Sequence, residues 1–230
     1  MDHLFTFWEG DLPVYIEKCI DTWHGPYIQT FLNYRNLKQY TDFDIESAKR
    51  FSLPQIADCV RVHVLRDNGG YWLDADTIML SDKLPTENIM GYPDSRTHTI
   101  GFLHTEKDSE MYREWAAYQD KIIADPNSTH RWNIMGNAFT DDYIRDHEEI
   151  TIHPIAMSWA ETYMIQGTRS RRAKYEHLYF NETCTLNEFL PTDLLMLHNS
   201  WTPDWYKWMT ENEFMNDNHT LSNILKELSC

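Results

Sequence analysis

Positive charge is scarce in this chain. Lysine and arginine number 20 against 36 aspartates and glutamates, a formal charge of −16 over 230 residues. A surface this acidic repels phosphate backbones and anionic lipid headgroups, which argues against general nucleic-acid binding and electrostatic membrane attachment. Cysteine is scarce too. Cys19, Cys59, Cys184 and Cys230 have no CxxC spacing, so reduced thiols are expected rather than a disulfide or zinc framework. No run approaches the roughly 18 apolar residues of a bilayer span. No basic-then-apolar leader precedes the first strand, so a soluble, cytoplasmic protein without a transmembrane segment is expected. Sequons at Asn127, Asn181 and Asn218 weigh little against that. Glycine numbers 8, and none forms a phosphate-cradling loop with a basic partner near the N-terminus. Repeats, low-complexity tracts and long linkers are absent, and the length suits one domain over 1–230.

What is present is the stretch Asn68-Gly-Gly-Tyr-Trp-Leu-Asp-Ala-Asp-Thr77 and the segment leading into it. Ser52-Leu-Pro-Gln55 is a capping-box pattern with proline in the tolerated first turn, so a helix is expected to start there. At 100° per residue Leu53, Ile56, Ala57, Val60 and Val64 form an apolar stripe, with Asp58, Arg61 and Leu65 along one edge. Asp58 and Arg61 can thus reach a common cleft. Gly69 and Gly70 supply the left-handed stop, and Tyr71-Trp-Leu73 reads as a short strand. If the extended geometry persists, Asp74 and Asp76 share a face. Paired acids suit a hard cation: Mg²⁺ binds carboxylate, phosphate and water oxygens, and Mn²⁺ also accepts imidazole. Such an ion can take the charge of a departing diphosphate. Bare DxD is weak, since Asp42-Phe-Asp44 has the same form.

Context sharpens the motif. At Asp58-Cys-Val-Arg61, Leu65 and Gly69-Gly-Tyr-Trp-Leu-Asp-Ala-Asp76 the chain resembles the DXD-containing sugar transferases of the glycosyltransferase family 32 type, which include capsule and mannan glycosyltransferases and, more distantly, the glucosylating clostridial toxins. The resemblance covers the first half and one short C-terminal stretch. It implies an α/β fold of the GT-A, Rossmann-like kind, a mixed central sheet flanked by helices. It also implies a UDP- or GDP-sugar donor, a glycan or other hydroxyl acceptor, a divalent metal (Mn²⁺ before Mg²⁺) and retention of anomeric configuration. By the same resemblance Asp58 and Arg61 contact donor sugar and phosphates, Asp74 lies near ribose and sugar, and Asp76 ligates the metal, with Asp74 a ligand through water. Trp72 stands where the family often has tyrosine. Polysaccharide biosynthesis is the expected setting.

His3-Leu-Phe-Thr-Phe-Trp8 reads as the first strand and Pro13 opens a helix to about Trp23. Trp8 either stacks on the donor base, as the resemblance implies, or packs under that helix. Tyr27 to Phe31, Thr77 to Leu80, Asn88 to Tyr92 and Thr97 to His104 read as strands. Ser109 to Ala124 reads as a helix with Met111, Trp115, Tyr118 and Ile122 on its core face. The expected division is a donor half over 1–105, an acceptor half over 106–192 and a closing strand with helices over 193–230. In the acceptor half, Trp132-Asn-Ile-Met-Gly-Asn137 resembles a small-residue turn before a helix. Trp159, Glu161 and Tyr163 either contact sugar or fill the core, and Arg169-Ser-Arg-Arg-Ala-Lys174 reads as a loop, solvated or closing over the diphosphate. Asp193-Leu-Leu-Met-Leu-His198 is a buried strand ending in a polar residue, where open α/β sheets place ligands. His-x-Ser-Trp resembles the family's closing motif, making His198 a metal ligand and Ser200 and Trp201 donor-phosphate contacts. From Pro203 a terminal helix is expected, with Trp205 and Trp208 packing back. Two other classes stay open: a non-catalytic carbohydrate-binding module, and a nucleotidyltransferase acting on sugar phosphates.

Overall fold

A computed structural model describes residues 2–86, 89–91, 98–128, 131–147, 152–154, 170–189 and 193–228. Strands β1 (His3–Phe7), β2 (Ile28–Leu32), β3 (Gly70–Leu73), β4 (Thr77–Met79), β5 (Ile89–Gly91), β6 (His98–Thr105), β7 (Ile152–Pro154) and β8 (Leu194–Met196) build two sheets. One is ordered β2-β1-β3-β6-β5-β7 and the other is the pair β4-β8. The chain forms two compact units. Met1–Glu9, Pro26–Asp74 and Pro85–Pro154 make the first; Gly10–Gly25, Ala75–Leu84 and Ile155–Cys230 make the second.

The first unit carries the six-stranded sheet. β1 is parallel to both β2 and β3, whereas β6 is antiparallel to β3 and β5, giving the expected mixed sheet flanked by helices. The helices α2 (Ile45–Ala48), α3 (Leu53–Asn68), α4 (Glu110–Ala124) and α5 (Asn137–Asp146) belong to this unit. α3 starts where the capping box places it, with the Ser52 amide and hydroxyl both donating to Gln55 Oε1 at 3.1 and 2.8 Å. It does not present a single stripe. Leu53, in the first turn, is 44% exposed, while Ile56, Val60, Val62, His63, Val64 and Leu65 are all buried. A helix covered on several sides loses the amphipathic periodicity that a surface helix shows. α4 lays Met111 and Trp115 into the core, with Tyr118 and Ile122 packed at its margin, as expected.

Asp44 explains the duplicate DxD. Its carboxylate caps α2, accepting from the Glu46 and Ser47 amides and, at 2.5 Å, from the Ser47 hydroxyl. Hydrogen bonding to Ser47 holds its carboxyl below the usual range.

The turn into β3 is tight. Gly69 has φ 70° and donates its amide to Leu65 O at 2.8 Å, and Gly70 has φ 91°. A Cβ on Gly70 would stand 2.6 Å from the His3 carbonyl oxygen of β1. Neither conformation nor space admits a side chain there. Gly70→Ala is expected to cost more than about 2 kcal/mol, combining left-handed strain with a backbone clash. A lowered urea midpoint with unchanged slope is the measurement that checks it.

In the second unit, β4 and β8 pair antiparallel, Ile78 opposite Leu195. α1 (Val14–Asp21) buries Tyr15, Ile16 and Cys19. Two expectations fail here. The basic segment is not a loop: Ser170 caps a helix over Arg171–Phe180 by accepting from the Ala173 amide, and Arg172 pairs with Glu176 one turn on at 2.7 Å. Arg169 lies outside the described residues, as do Trp159, Glu161 and Tyr163. The C-terminus is not one helix but three short ones, Asp204–Lys207, Glu211–Asn216 and Thr220–Leu228, and Trp205 and Trp208 are exposed. Tyr206 and Phe214 fill the interior there instead, one from each of the first two short helices, each of which turns only one side inward. Cys19 and Cys59 are free thiols. Among the described residues no helix is long and apolar enough to cross a membrane.

Candidate active site

The order β2-β1-β3, all parallel, reverses direction at β1/β3. Open α/β sheets bind ligands at such a switch point, outside the carboxyl ends of the strands. Trp8 and Asp74 are the residues that follow those two ends. Trp8 is half-buried and ties the edge together through its amide, which donates to Leu32 O at 3.0 Å. The Asp74 amide donates to Gly101 O of β6 at 2.8 Å, fixing the point where the chain leaves the sheet.

The first unit gathers Asp58, Arg61, Trp72 and Asp74. The Asp58-x-x-Arg61 spacing on α3 sets acid and base one turn apart, 3.1 Å between Arg61 Nη2 and Asp58 Oδ1. The same nitrogen lies 3.0 Å from Asp74 Oδ1, which also accepts from Trp72 Nε1 at 2.9 Å. Arg61 Nη1 donates to the Ile100 carbonyl, and the guanidinium carbon is 5.3 Å from the Trp72 ring centre. Arg61 and Trp72 are thus buried, whereas the Asp74 side chain is 34% exposed and is the most solvent-facing of the three.

Asp58 has an unusual titration. Burial pushes its carboxyl up to about 7; Arg61 works in the opposite direction, and the neighbouring Asp74 adds to the rise. The turn before α5 lies against it. A Cβ on Gly136 would come within 3.2 Å of Asp58 Oδ2, so the absence of a side chain lets backbone and carboxylate approach. That turn is pinned by Trp115 Nε1 and Gln119 Nε2, which donate to Met135 O at 3.0 and 2.7 Å. Because the folded-state value lies above the ordinary ~3.9 of an aspartate, the fold holds this proton more tightly than the unfolded chain does. Its contribution to stability is therefore complete below about pH 4 and is lost as pH rises through about 7. Asp58→Asn is expected to flatten the fall in urea stability between pH 5 and 8 relative to the parent. His63, held down to about 3 chiefly by burial, acts in the opposite sense between that value and the ordinary ~6.5 of a histidine, and is common to both proteins. Parallel curves for the two proteins would contradict the assignment.

The second unit holds Asp76, His198, Ser200 and Trp201. The expected alternation of Asp74 and Asp76 on one strand face is not observed: β3 ends at Leu73 and residues 75–76 form a turn before β4. Once its amide has bonded Gly101, Asp74 is the last residue tied to the large sheet, so the period-2 rule no longer applies. Asp76 is fixed by the chain that follows β8. Its carbonyl accepts from the Leu197 amide at 2.9 Å and its Oδ2 from the Asn199 amide at 2.7 Å. The His198 ring is tilted over Trp201, centroids 3.8 Å apart, and Ser200 is exposed.

A carboxylate and an imidazole are a donor set that Mn²⁺ accepts, and such ions bind through one or two protein groups completed by phosphate oxygens and water. Asp76 and His198 fit that chemistry. Among the described residues no three or more His, Cys, Asp or Glu side chains cluster as a closed protein cage. The sequence gives no sign of Tyr15, whose hydroxyl donates to Asn199 Oδ1 at 2.5 Å across 184 residues, or of Tyr175, hydrogen-bonded to Thr202 Oγ1 at 3.0 Å. Only the apolar spacing of their helices is visible.

The chain was compared with known proteins. No curated protein matches it. Among solved structures it is similar to one titled PaToxG Glycosyltransferase, at 15% identity over 64% of this chain and 69% of that one, with a TM-score of 0.46. It is also similar to the apo-form glycosyltransferase GlyE of Streptococcus pneumoniae TIGR4, at 13% identity over 100% of this chain, with a TM-score of 0.45; the match spans only 60% of the GlyE chain. The sequence model of a family described as Capsular polysaccharide synthesis protein matches residues 2–185. That match agrees with a glycosyltransferase of polysaccharide biosynthesis, and on it the chain belongs to the capsular polysaccharide synthesis protein family.

Proposed function

We propose that the protein is a metal-dependent glycosyltransferase that moves a sugar from a nucleotide-sugar donor, a UDP- or GDP-sugar, to a hydroxyl of a glycan acceptor. The observation that carries the reading is the placement of Trp8 and Asp74 at the carboxyl ends of β1 and β3, at the switch point where α/β sheets bind nucleotides. Trp8 offers a ring face for the base. Asp74, partly exposed, accepts hydrogen bonds from the hydroxyls of ribose and sugar. Arg61 acts as a positioning residue rather than a phosphate ligand: it is buried, and its two terminal nitrogens are engaged by Asp58, Asp74 and Ile100 O. Trp72 likewise spends its N–H on Asp74.

Asp76 and His198 hold the divalent cation, Mn²⁺ or Mg²⁺. When bound, the ion neutralises negative charge on the diphosphate. Ser200 and Trp201 follow on the same turn and are assigned to the donor phosphates, with the Ser200 hydroxyl as hydrogen-bond donor. Retention of configuration rests on the family 32 resemblance. Front-face attack by the acceptor hydroxyl is proposed for it, since no carboxylate in the chain is marked out as a nucleophile.

The test is release of nucleoside diphosphate from a panel of UDP- and GDP-sugars, with Mn²⁺ or Mg²⁺, in the presence of mixed oligosaccharide acceptors. Turnover of one donor that depends on the ion is expected. A folded protein that turns over none, yet is retained on a glycan array, would be a carbohydrate-binding module.

A further inference from the structure

Two buried tyrosines from different helices grip the turn that carries His198. Tyr15 of α1, 1% exposed, donates its hydroxyl to Asn199 Oδ1 at 2.5 Å. Tyr175, on the helix Arg171–Phe180 and 0% exposed, shares a hydrogen bond with Thr202 Oγ1 at 3.0 Å and accepts from the His198 amide at 3.4 Å. The turn between these two points is closed on itself. The His198 carbonyl accepts from the Trp201 amide at 2.8 Å, the Thr202 amide at 3.0 Å and the Thr202 hydroxyl at 3.2 Å. From its middle, the Asn199 amide donates to Asp76 Oδ2 at 2.7 Å. Every one of these residues lies in the second unit.

Burying a tyrosine hydroxyl without a partner costs about 1–3 kcal/mol, so each is held to its bond, and each bond has one end on the turn. A phenylalanine would fill either position equally well for packing alone. The hydroxyls add direction: Tyr15 fixes the Asn199 side chain, and Tyr175 fixes the residues on either side of it.

We infer that Tyr15 and Tyr175 are positioning residues that clamp the His198–Thr202 turn, through Asn199 and Thr202, so that the Asn199 amide aims the Asp76 carboxylate and sets the affinity for a divalent cation. The inference rests on the proposed metal role of Asp76 and His198 for its second half only. The clamp itself is a statement about the turn. Partners that orient a metal ligand typically govern affinity 10- to 100-fold.

The test uses the full chain as Tyr15→Phe and Tyr175→Phe, with two readouts. Amide hydrogen exchange over residues 197–202 is expected to speed at least about 5-fold in each variant, with the β1 and β3 amides unchanged. Mn²⁺ titrated in the presence of UDP or GDP, followed by the paramagnetic resonance of the free ion, is expected to bind about 10-fold more weakly. Exchange at the parent rate in both variants would overturn the clamp. Faster exchange with unaltered Mn²⁺ affinity would overturn its role in aiming Asp76. A parent protein that binds no Mn²⁺ would remove the metal reading of Asp76 and with it the second half of the inference, while the exchange result still decides the first. Should Tyr15→Phe fail to fold, Asn199→Ala removes the same contact from the turn's side, and should Tyr175→Phe fail, Thr202→Val removes its partner hydroxyl; each is read the same way.

Discussion

Arg61→Met is expected to destabilise the protein by about 3–5 kcal/mol, the usual cost of removing one partner from a buried ion pair. The cation answers both Asp58 and Asp74 and caps the Ile100 carbonyl, so a chain of similar length and no charge strands three polar groups at once. Asp58, already raised to about 7, is driven higher and becomes neutral over the working pH range. The double variant Arg61→Met, Asp58→Asn is therefore expected to recover part of the loss, a coupling of 0.5–3 kcal/mol being typical for residues in one network. Denaturant midpoints at pH 8 read both numbers. Arg61→Lys should behave like the methionine variant in activity, since an ammonium cannot serve two carboxylates and a carbonyl with a planar fork. Additive losses in the cycle would show that Asp58 and Arg61 do not act as a pair.

Asp76→Asn carries the largest expected effect on turnover. An amide keeps the shape and one acceptor oxygen for the Asn199 amide, so the fold is expected to stand with a urea midpoint close to the parent. What it loses is the negative charge proposed to hold the cation. Metal-assisted charge neutralisation is worth several kcal/mol at a leaving group, so ion-dependent turnover is expected to fall on the order of 10³-fold. Asp44→Asn, at the other DxD, is the matched control. Its carboxylate caps a four-residue helix, and the change should cost no activity. Equal losses at the two motifs would mean that the effect of Asp76 is structural.

The contrast between those motifs shows what the sequence could tell. Both read as Asp-x-Asp, and only flanking signals separate them: Ser47 three residues after Asp44 marks a cap, while Gly69-Gly70 and an apolar triplet ahead of Asp74 mark a turn into a strand. α3, its cap and its glycine stop were legible because each is encoded within four residues. So was the pairing of Asp58 with Arg61, a one-turn spacing. The Ser170 cap and the Arg172–Glu176 spacing were equally local, and a loop was nonetheless expected there because clustered charge outweighed them.

What escaped the sequence is long-range. The acceptance of Arg61 by the Ile100 carbonyl spans 39 residues, and the Tyr15–Asn199 bond spans 184. No periodicity announces such contacts. The end of β3 was hidden for a related reason: whether a strand continues depends on its neighbour, and β6 supplies its last partner to Asp74. Exposure of Trp205 and Trp208 follows from the chain breaking into three short helices, with Pro203, Thr210 and the Asp217-Asn218 pair as the punctuation.

Calorimetric titration of UDP and GDP into the parent protein, with and without Mn²⁺, tests the central claim most directly. One nucleotide is expected to bind, at least tenfold more tightly with the ion, and to protect Trp8 from quenching by added iodide. A folded protein that binds neither nucleotide in any metal condition would contradict a donor site at the ends of β1 and β3.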